Sequence, residues 1–238
     1  MFAAHKIGEF FLDLVFPAVC AGCKREGTYI CKDCALFVSE NALICPVCQE
    51  SSLTGETHLT CSSRYGLEGL ASMWDYDGPV KEIIAKIKYN FVTHAVQEVM
   101  QRAWMTMTND HNRFGKFLQF LLSNQVVTYA PMFLRKEKKR GFNQAELFAR
   151  ELAQIARLEV LPLLEKTRDT KSQTELERKE RIQNAKASFE FNSKLQIPKR
   201  VVLVDDVWTS GATMQECCRV LKKAGVEKVW GFTLARTP

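Results

Sequence analysis

Apolar residues recur in two periods along this chain. Val201 to Val204 form an unbroken apolar run, the pattern of a strand buried on both faces of a parallel sheet. Two carboxylates follow, Asp205 and Asp206, and then small and hydroxyl residues around Gly211. Met214, Cys217, Cys218, Leu221 and Ala224 then recur at helical spacing, with Gly225 as the stop and both cysteines on the core stripe. Upstream, Leu70–Tyr76 reads as a strand and Asp77, Gly78 and Pro79 as a turn that starts a helix. Its stripe is Val80, Ile83, Ile84, Ile87 and Phe91, and the helix is expected to run past Val99. Lys81, Lys86 and Lys88 fall off the stripe, on a solvated face. Residues 106–116 are polar and predict a loop, and Phe117–Leu122 is too short to assign. Val126–Ala130 is a second buried strand. It leads to a basic loop, Arg135 to Arg140, and to a helix beginning near Asn143 with Phe148, Leu152 and Ile155 inward. Residues 166–173 predict a mobile loop, 189–197 a connector with room for a strand, and Val229–Leu234 the last strand.

Strands alternating with helices predict an α/β fold with a mostly parallel central sheet. The 238 residues accommodate one sizeable domain and a small one, which the sequence divides at residues 1–66 and 67–238. Charge follows that division. Residues 1–66 carry 5 Lys/Arg and 7 Asp/Glu, a net of −2; the remainder carry 28 and 20, a net of +8. The basic excess therefore lies where an anionic ligand is expected. No apolar run reaches the roughly 18 residues of a membrane helix. Residues 6–16 read as a short helix ended by Pro17, and the Ile7–Val15 segment contains Glu9 and Asp13 without a small-residue cleavage site. Cytoplasmic localisation is the expectation.

Seven of the nine cysteines precede residue 62, which in a reducing compartment points to metal rather than disulfides. Cys20 and Cys23, then Cys31 and Cys34, form two CxxC turns. Each such turn aims two thiolates at one ion, and two complete a tetrahedron. Cys45 and Cys48 form a third, and His58 with Cys61 gives a matching HxxC. Two four-ligand sets follow, for one structural zinc ion or two, with pairing across the sets left open. A segment this short buries little core, so metal must supply folding energy.

At the other end of the chain, the order of strand, carboxylates, Gly-containing loop and helix places polar groups at the carboxyl edge of a parallel sheet, where ligands bind. Loop amides and a helix N-terminus hold phosphate; carboxylates accept from sugar hydroxyls or share Mg²⁺.

Val201–Thr213 resembles the phosphoribosyl-pyrophosphate (PRPP) motif of type I phosphoribosyltransferases, with Thr209, Ser210, Gly211, Ala212 and Thr213 as its loop. Taken with the CxxC pairs, Tyr76 to Pro79, Ile87 to Tyr89, Lys139 to Gln144, Arg168 to Thr170 with Gln173, and Arg181 with Asn184, nearly the whole chain resembles the ComF family. These competence-associated proteins join an N-terminal zinc ribbon to a phosphoribosyltransferase-like domain. The resemblance implies that Asp205 and Asp206 bind ribose hydroxyls, with or without Mg²⁺, and that Thr209 to Thr213 cradle the 5′-phosphate. Pro131 and Arg140 would face pyrophosphate, and Arg168 would sit in a hood over the site. Asp205, Asp206 and Arg140 are the catalytic candidates if any transfer occurs. The chain departs from the family in two places. Arg64 stands at the usual last cysteine, with His58 as the replacement ligand, and Tyr129, Ala130 and Pro131 replace Pro-Val-Pro.

Three functions follow from the resemblance. The first is a DNA-uptake factor that handles internalised single-stranded DNA, with a DNA-uptake helicase or other competence proteins as partners. Trp208, Phe142 and Tyr129 are the stacking candidates for such a strand, and packing is the competing role for each. The second is an active, amidophosphoribosyltransferase-like enzyme. The third is a zinc-ribbon adaptor that only binds a nucleotide.

Overall fold

The computed structural model describes residues 17–89, 95–123, 126–169 and 187–237. The expected helix at 6–16, Phe91, and most of the expected loop and short helix after Lys166, Gln173, Arg181 and Asn184 among them, lie outside the described residues.

The described residues open with a cysteine-rich segment that includes the short helix α1 (Lys32–Ala35) and a 3-10 turn at Leu59–Cys61. The sheet domain follows, with β1 (Gly69–Asp75), α2 (Gly78–Tyr89), α3 (Ala95–Asn109), α4 (His111–Leu122), β2 (Val126–Tyr129), α5 (Leu134–Arg140), α6 (Gln144–Ala156) and β3 (Glu159–Val160). A β4–β5 hairpin (Leu164–Lys166 and Phe189–Phe191) comes next, then β6 (Arg200–Trp208), α7 (Ala212–Ala224) and β7 (Lys228–Arg236). The central sheet has the order β1-β7-β6-β2-β3, and every pairing in it is parallel.

Strand β6 explains the layering. Its residues alternate between two apolar layers: Val202 and Val204 pack with α2, α3, α4 and α6, whereas Val201 and Leu203 pack with α7 and the hairpin. Both faces are covered along Val201–Val204, so this stretch of the strand has to be apolar at every position, as its sequence shows. Cys217 and Cys218 are fully buried in the second layer. Burial pushes the Cys217 thiol well above its usual range and that of Cys218 up to about 12, as befits small hydrophobes.

Two expectations fail. The polar stretch 106–116 is helical: α3 runs to Asn109, and Asp110 caps α4 by accepting from the Arg113 amide at 3.1 Å. Polar residues there occupy an outer face while Met107, Phe114 and Phe117 reach the core, so the hydrophobic period crosses the stretch. The basic loop at 135–140 is likewise a helix, α5. Its charges stand on a solvated surface and its last turn is Lys138, Lys139 and Arg140, which suits the negative helix end. Gly141 ends it at φ 83°, a conformation open to glycine.

The cysteine-rich segment packs on the sheet domain. Cys20, Ala21, Ile30 and Cys34 join the layer of α2 and α3, and Ile44 joins the layer of α7. Glu98 of α3 accepts from the Thr28 hydroxyl at 2.6 Å and from the Tyr29 and Ile30 amides at 3.0 and 3.1 Å. Burial raises its pKa, but these donors and Arg102 outweigh it and the net shift is down. Lys86 donates to the Val19 carbonyl at 3.1 Å, so of the three lysines expected on a solvated face only Lys81 is fully exposed.

Candidate functional site

At the carboxyl edge of β6 the two aspartates part ways. Asp205 Oδ1 accepts from the Asp206 amide at 2.9 Å, and its side chain lines a small cleft with Thr209, Gly211, Ala212 and Thr213. Asp206 is 7% exposed. Its Oδ1 accepts from the Val207 amide at 2.7 Å, and its Oδ2 accepts from Gln144 Nε2 at 3.2 Å and Lys88 Nζ at 2.5 Å. Burial and the neighbouring Asp206 charge push the Asp205 carboxyl up to about 8. Burial also acts to raise Asp206, but Lys88 and Gln144 outweigh it and hold that carboxylate below its usual range. The pair therefore carries one firm negative charge and one that titrates near neutrality.

Lys88 does not lie on the solvated face that the helical stripe predicts for it. It lies off the apolar stripe, but it sits at the last turn of α2, where the helix meets the carboxyl edge of the sheet. Its side chain is 19% exposed and paired with Asp206. The signal available was its place beside Ile87 and Tyr89 in the family-like triplet, not its periodicity.

The residues from Arg140 to Gln144 are fixed by three jobs. Asn143, 3% exposed, caps α6 by accepting from the Ala145 amide at 3.0 Å and donates to the Ala130 carbonyl at 3.0 Å. It thereby fastens the turn at Pro131, which follows β2, to the start of α6. Gln144 reaches Asp206, and Arg140 donates to Gln144 Oε1 at 2.5 Å. Arg140, Gln144, Asp206 and Lys88 form one chain of contacts. Pro131 is half-buried beside it. Arg168 is exposed on the segment after β4, and the next residue, Asp169, pairs with Lys136 of α5 at 3.0 Å. Among the described residues no contact joins Arg168 to the carboxylates.

The loop from Thr209 to Thr213 rests on Trp208. Gly211 has φ 75°, and a Cβ there would stand 2.2 Å from the indole ring. Only glycine fits, on both counts. Trp208 is 2% exposed, which rules it out as a stacking platform; Tyr129 and Phe142 are half-buried against the core. Gly211 caps α7 without a side-chain acceptor, an arrangement that suits an incoming anion at the helix start. Ser210 is 7% exposed, and its hydroxyl accepts from the Ala212 amide at 3.4 Å.

The cysteine sets are separate. Sγ atoms of Cys20, Cys23, Cys31 and Cys34 lie within 4.8 Å of one another, as do the ligand atoms of Cys45, Cys48, His58 and Cys61, so no pairing crosses between sets. A tetrahedron with Zn–S near 2.3 Å puts neighbouring sulfurs about 3.8 Å apart. Cys23 and Cys31 are at 3.6 Å, and Cys48 Sγ is 3.4 Å from His58 Nδ1. Backbone amides point at the sulfurs: Cys31 toward Cys20 at 3.3 Å and His58 toward Cys45 at 3.5 Å. His58 Nε2 is 3.1 Å from the Ser51 carbonyl, which leaves Nδ1 for an ion. Both donor sets fit a zinc ion. The second set also touches the loop: Gln49 Nε2 donates to the Ser210 carbonyl at 3.4 Å, and Gln215 Nε2 to the Pro46 carbonyl at 2.9 Å. A wider cleft, lined by Thr57, His58, Glu68, Lys228 and Trp230, opens at the amino ends of β1 and β7, away from the carboxylates.

This combination defines a class, a phosphoribosyltransferase-like domain carrying a cysteine-rich segment whose two donor sets could hold zinc. Residues 140–238 match the family model described as "Phosphoribosyl transferase domain". The chain is also similar to proteins named for competence and DNA utilisation. One is "Competence protein ComFC" of Streptococcus pneumoniae, 26% identical over 90% of both chains. Another is "DNA utilization protein YhgH" of Escherichia coli, 25% identical over 94% of this chain and 99% of that one. "Competence protein F" of Haemophilus influenzae is 35% identical over 47% of this chain and 50% of its own. The resemblance to the ComF family therefore extends over most of the chain, in a mixed α/β fold.

Proposed function

We propose that this chain acts in DNA uptake or utilisation, binding internalised single-stranded DNA and holding a phosphoribosyl compound at the Asp205 cleft. The observation that carries the ligand reading is the junction of β6 and α7, where Asp205 stands beside a glycine-capped helix start. Thr209 to Thr213 would cradle the 5′-phosphate, Asp205 would take ribose hydroxyls, and Pro131 and Arg140 would face pyrophosphate. Mg²⁺ would arrive on the pyrophosphate oxygens of a PRPP-like ligand. Residues 1–66 and 67–238 would work as two modules, the first holding two structural zinc ions in the sets described. Zinc there has no open ligand position and supplies folding energy only.

The DNA reading rests on the names of the relatives and on α5, whose Lys138 and Lys139 are exposed one turn from the site. An exposed basic helix beside a phosphate cradle suits a polyanion. A DNA-uptake helicase or other competence proteins are the protein partners this role calls for, and the cytoplasm is where it would operate. Among the described residues no helix is long and apolar enough to cross a membrane.

Binding of a fluorescent oligothymidine, measured across a salt series, tests the reading. Wild type should lose affinity linearly on a log–log plot, and Lys138→Glu with Lys139→Glu should weaken binding and flatten the slope by about 2. Salt-independent binding, or none, defeats it. The Asp205 cleft also suits an amidophosphoribosyltransferase-like enzyme, for which pyrophosphate release from PRPP with amine acceptors is the assay. Ligand binding without turnover or DNA affinity would leave the nucleotide-binding adaptor.

A further inference from the structure

Three donors already crowd the Asp206 carboxylate. The Val207 amide occupies Oδ1; Gln144 and the Lys88 ammonium occupy Oδ2. The two charged side chains are 19% and 9% exposed, so the contact is shielded from water. The Lys88 ammonium touches Asp206 Oδ2 directly, and Asp206 adjoins Asp205 on the same strand. Burial alone would lower its pKa, and contact with Asp206 above all reverses that shift.

The resemblance to the phosphoribosyltransferase motif allows Mg²⁺ at the carboxylate pair. Mg²⁺ requires six oxygen ligands near 2.0–2.1 Å and sheds water reluctantly. To reach Asp206 it would have to evict an ammonium in direct contact and break the Gln144 bond that ties Asp206 to Arg140. The donor set at Asp206 does not fit a divalent ion. A buried ion pair contributes little to stability compared with apolar side chains of similar volume. Its presence at the ligand-binding edge of the sheet, and not in one of the two apolar layers, therefore calls for a functional reason.

We propose that Lys88 occupies the place of a divalent cation at the carboxylate pair, so that this chain binds ribose-phosphate ligands without Mg²⁺. The proposal rests on the phosphoribosyl reading above. Lys88 is a positioning residue: it neutralises Asp206, keeps it turned toward Gln144, and leaves Asp205 as the carboxyl that meets the ribose hydroxyls. Any Mg²⁺ then belongs to the pyrophosphate of the ligand and not to the protein.

The experiment uses ribose 5-phosphate, which lacks the pyrophosphate that would bring its own metal. Binding to the full, zinc-loaded chain is followed by calorimetry in buffer freed of Mg²⁺ by resin and then in buffer with Mg²⁺ added. Chelators are avoided so that the cysteine sites stay loaded. Wild type should bind with the same affinity, within about twofold, in both buffers. Lys88→Met should lose at least tenfold in Mg²⁺-free buffer and regain most of it with Mg²⁺, since the vacated position then accepts the ion. Lys88→Arg should behave like wild type. A metal dependence switched on by one substitution is not something a purely structural lysine would produce. Wild-type binding that requires Mg²⁺ overturns the proposal while leaving the phosphoribosyl reading intact, and this arm needs no variant to fold. No wild-type binding in either buffer overturns the phosphoribosyl reading itself, and this inference with it.

Discussion

The cysteine sets take all their ligands from spans of 15 and 17 consecutive residues, Cys20–Cys34 and Cys45–Cys61. The carboxylate pair is assembled differently. Asp206 meets Lys88, 118 positions earlier in the chain, and Gln144, 62 positions earlier. The local sites need no sheet to bring their ligand residues together. The distant site exists only once β6, α2 and α6 have packed together.

Metal removal should have the largest effect and can break the comparison. Structural zinc contributes on the order of 10 kcal/mol in small metal-dependent folds. Freshly purified protein should contain two zinc ions per chain. Strong chelation should deprotect amides across residues 17–66 in hydrogen exchange. Because Cys20, Ala21, Ile30 and Cys34 are buried against α2 and α3, chelation should also lower the melting temperature of the sheet domain. A sheet domain that melts identically with and without zinc would show that the module is merely tethered.

Lys88→Met comes next. It strands a buried carboxylate, and breaking such a pair costs about 3–5 kcal/mol. Asp206→Asn added to Lys88→Met should recover part of the loss, because no charge is then left unpaired. The check is a denaturant titration of wild type, single and double variants. A Lys88→Met loss near zero would mean the ion pair is open to water.

The same contrast decides what could be read from the sequence. The CxxC spacings, the apolar run of β6 and the glycine loop are local patterns with local causes, and the structure has each where its pattern falls. The helical stripe puts Lys88 on a solvated face because it sorts residues by angle and says nothing about what stands beyond the helix end. The stretch 106–116 misled for a related reason: polarity was taken for a loop although Met107, Phe114 and Phe117 preserve the helical period across it. For Trp208 the sequence offers stacking and packing side by side; the 2.2 Å approach at Gly211 decides for packing, with the ring as the loop's floor.

Asp205 supplies a smaller effect with a definite sign. Its folded pKa, about 8, lies above the ordinary carboxyl value of 3.8. The folded state therefore holds a proton that the unfolded chain has released at any pH between these values. Stability from this group is full below about pH 4 and is lost as pH rises toward 8, with a slope no steeper than about 1.4 kcal/mol per pH unit. Asp205→Asn should flatten the profile in that window and raise the melting temperature at pH 8. Identical pH profiles for variant and wild type would mean that Asp205 is ionised throughout, and its assignment as the titrating member of the pair would fall.

The smallest expected effect tests whether the two kinds of site are joined. Gln49 follows the Cys45–Cys48 turn of the second set at φ 66° and donates to the Ser210 carbonyl, while Gln215 at the start of α7 donates back to the Pro46 carbonyl. Two amide side chains thus link a metal turn to the loop proposed to hold phosphate. A neutral hydrogen bond contributes about 1 kcal/mol net, so Gln49→Ala or Gln215→Ala should weaken ribose 5-phosphate binding by about fivefold if the loop relies on the link. Gln215→Ala should have the larger effect, because its bond is 2.9 Å against 3.4 Å. The fold should survive both changes, since Gln215 is exposed and Gln49 half-buried. Cys23→Ser, in the first set, serves as the control: it perturbs a metal turn for which no contact with the loop is described. Calorimetry on the three variants distinguishes the cases. Weaker binding in the glutamine variants with unchanged binding in the control would show that the second metal turn supports the ligand loop. Unchanged binding in all three would show that Gly211 and the Trp208 floor hold the loop unaided.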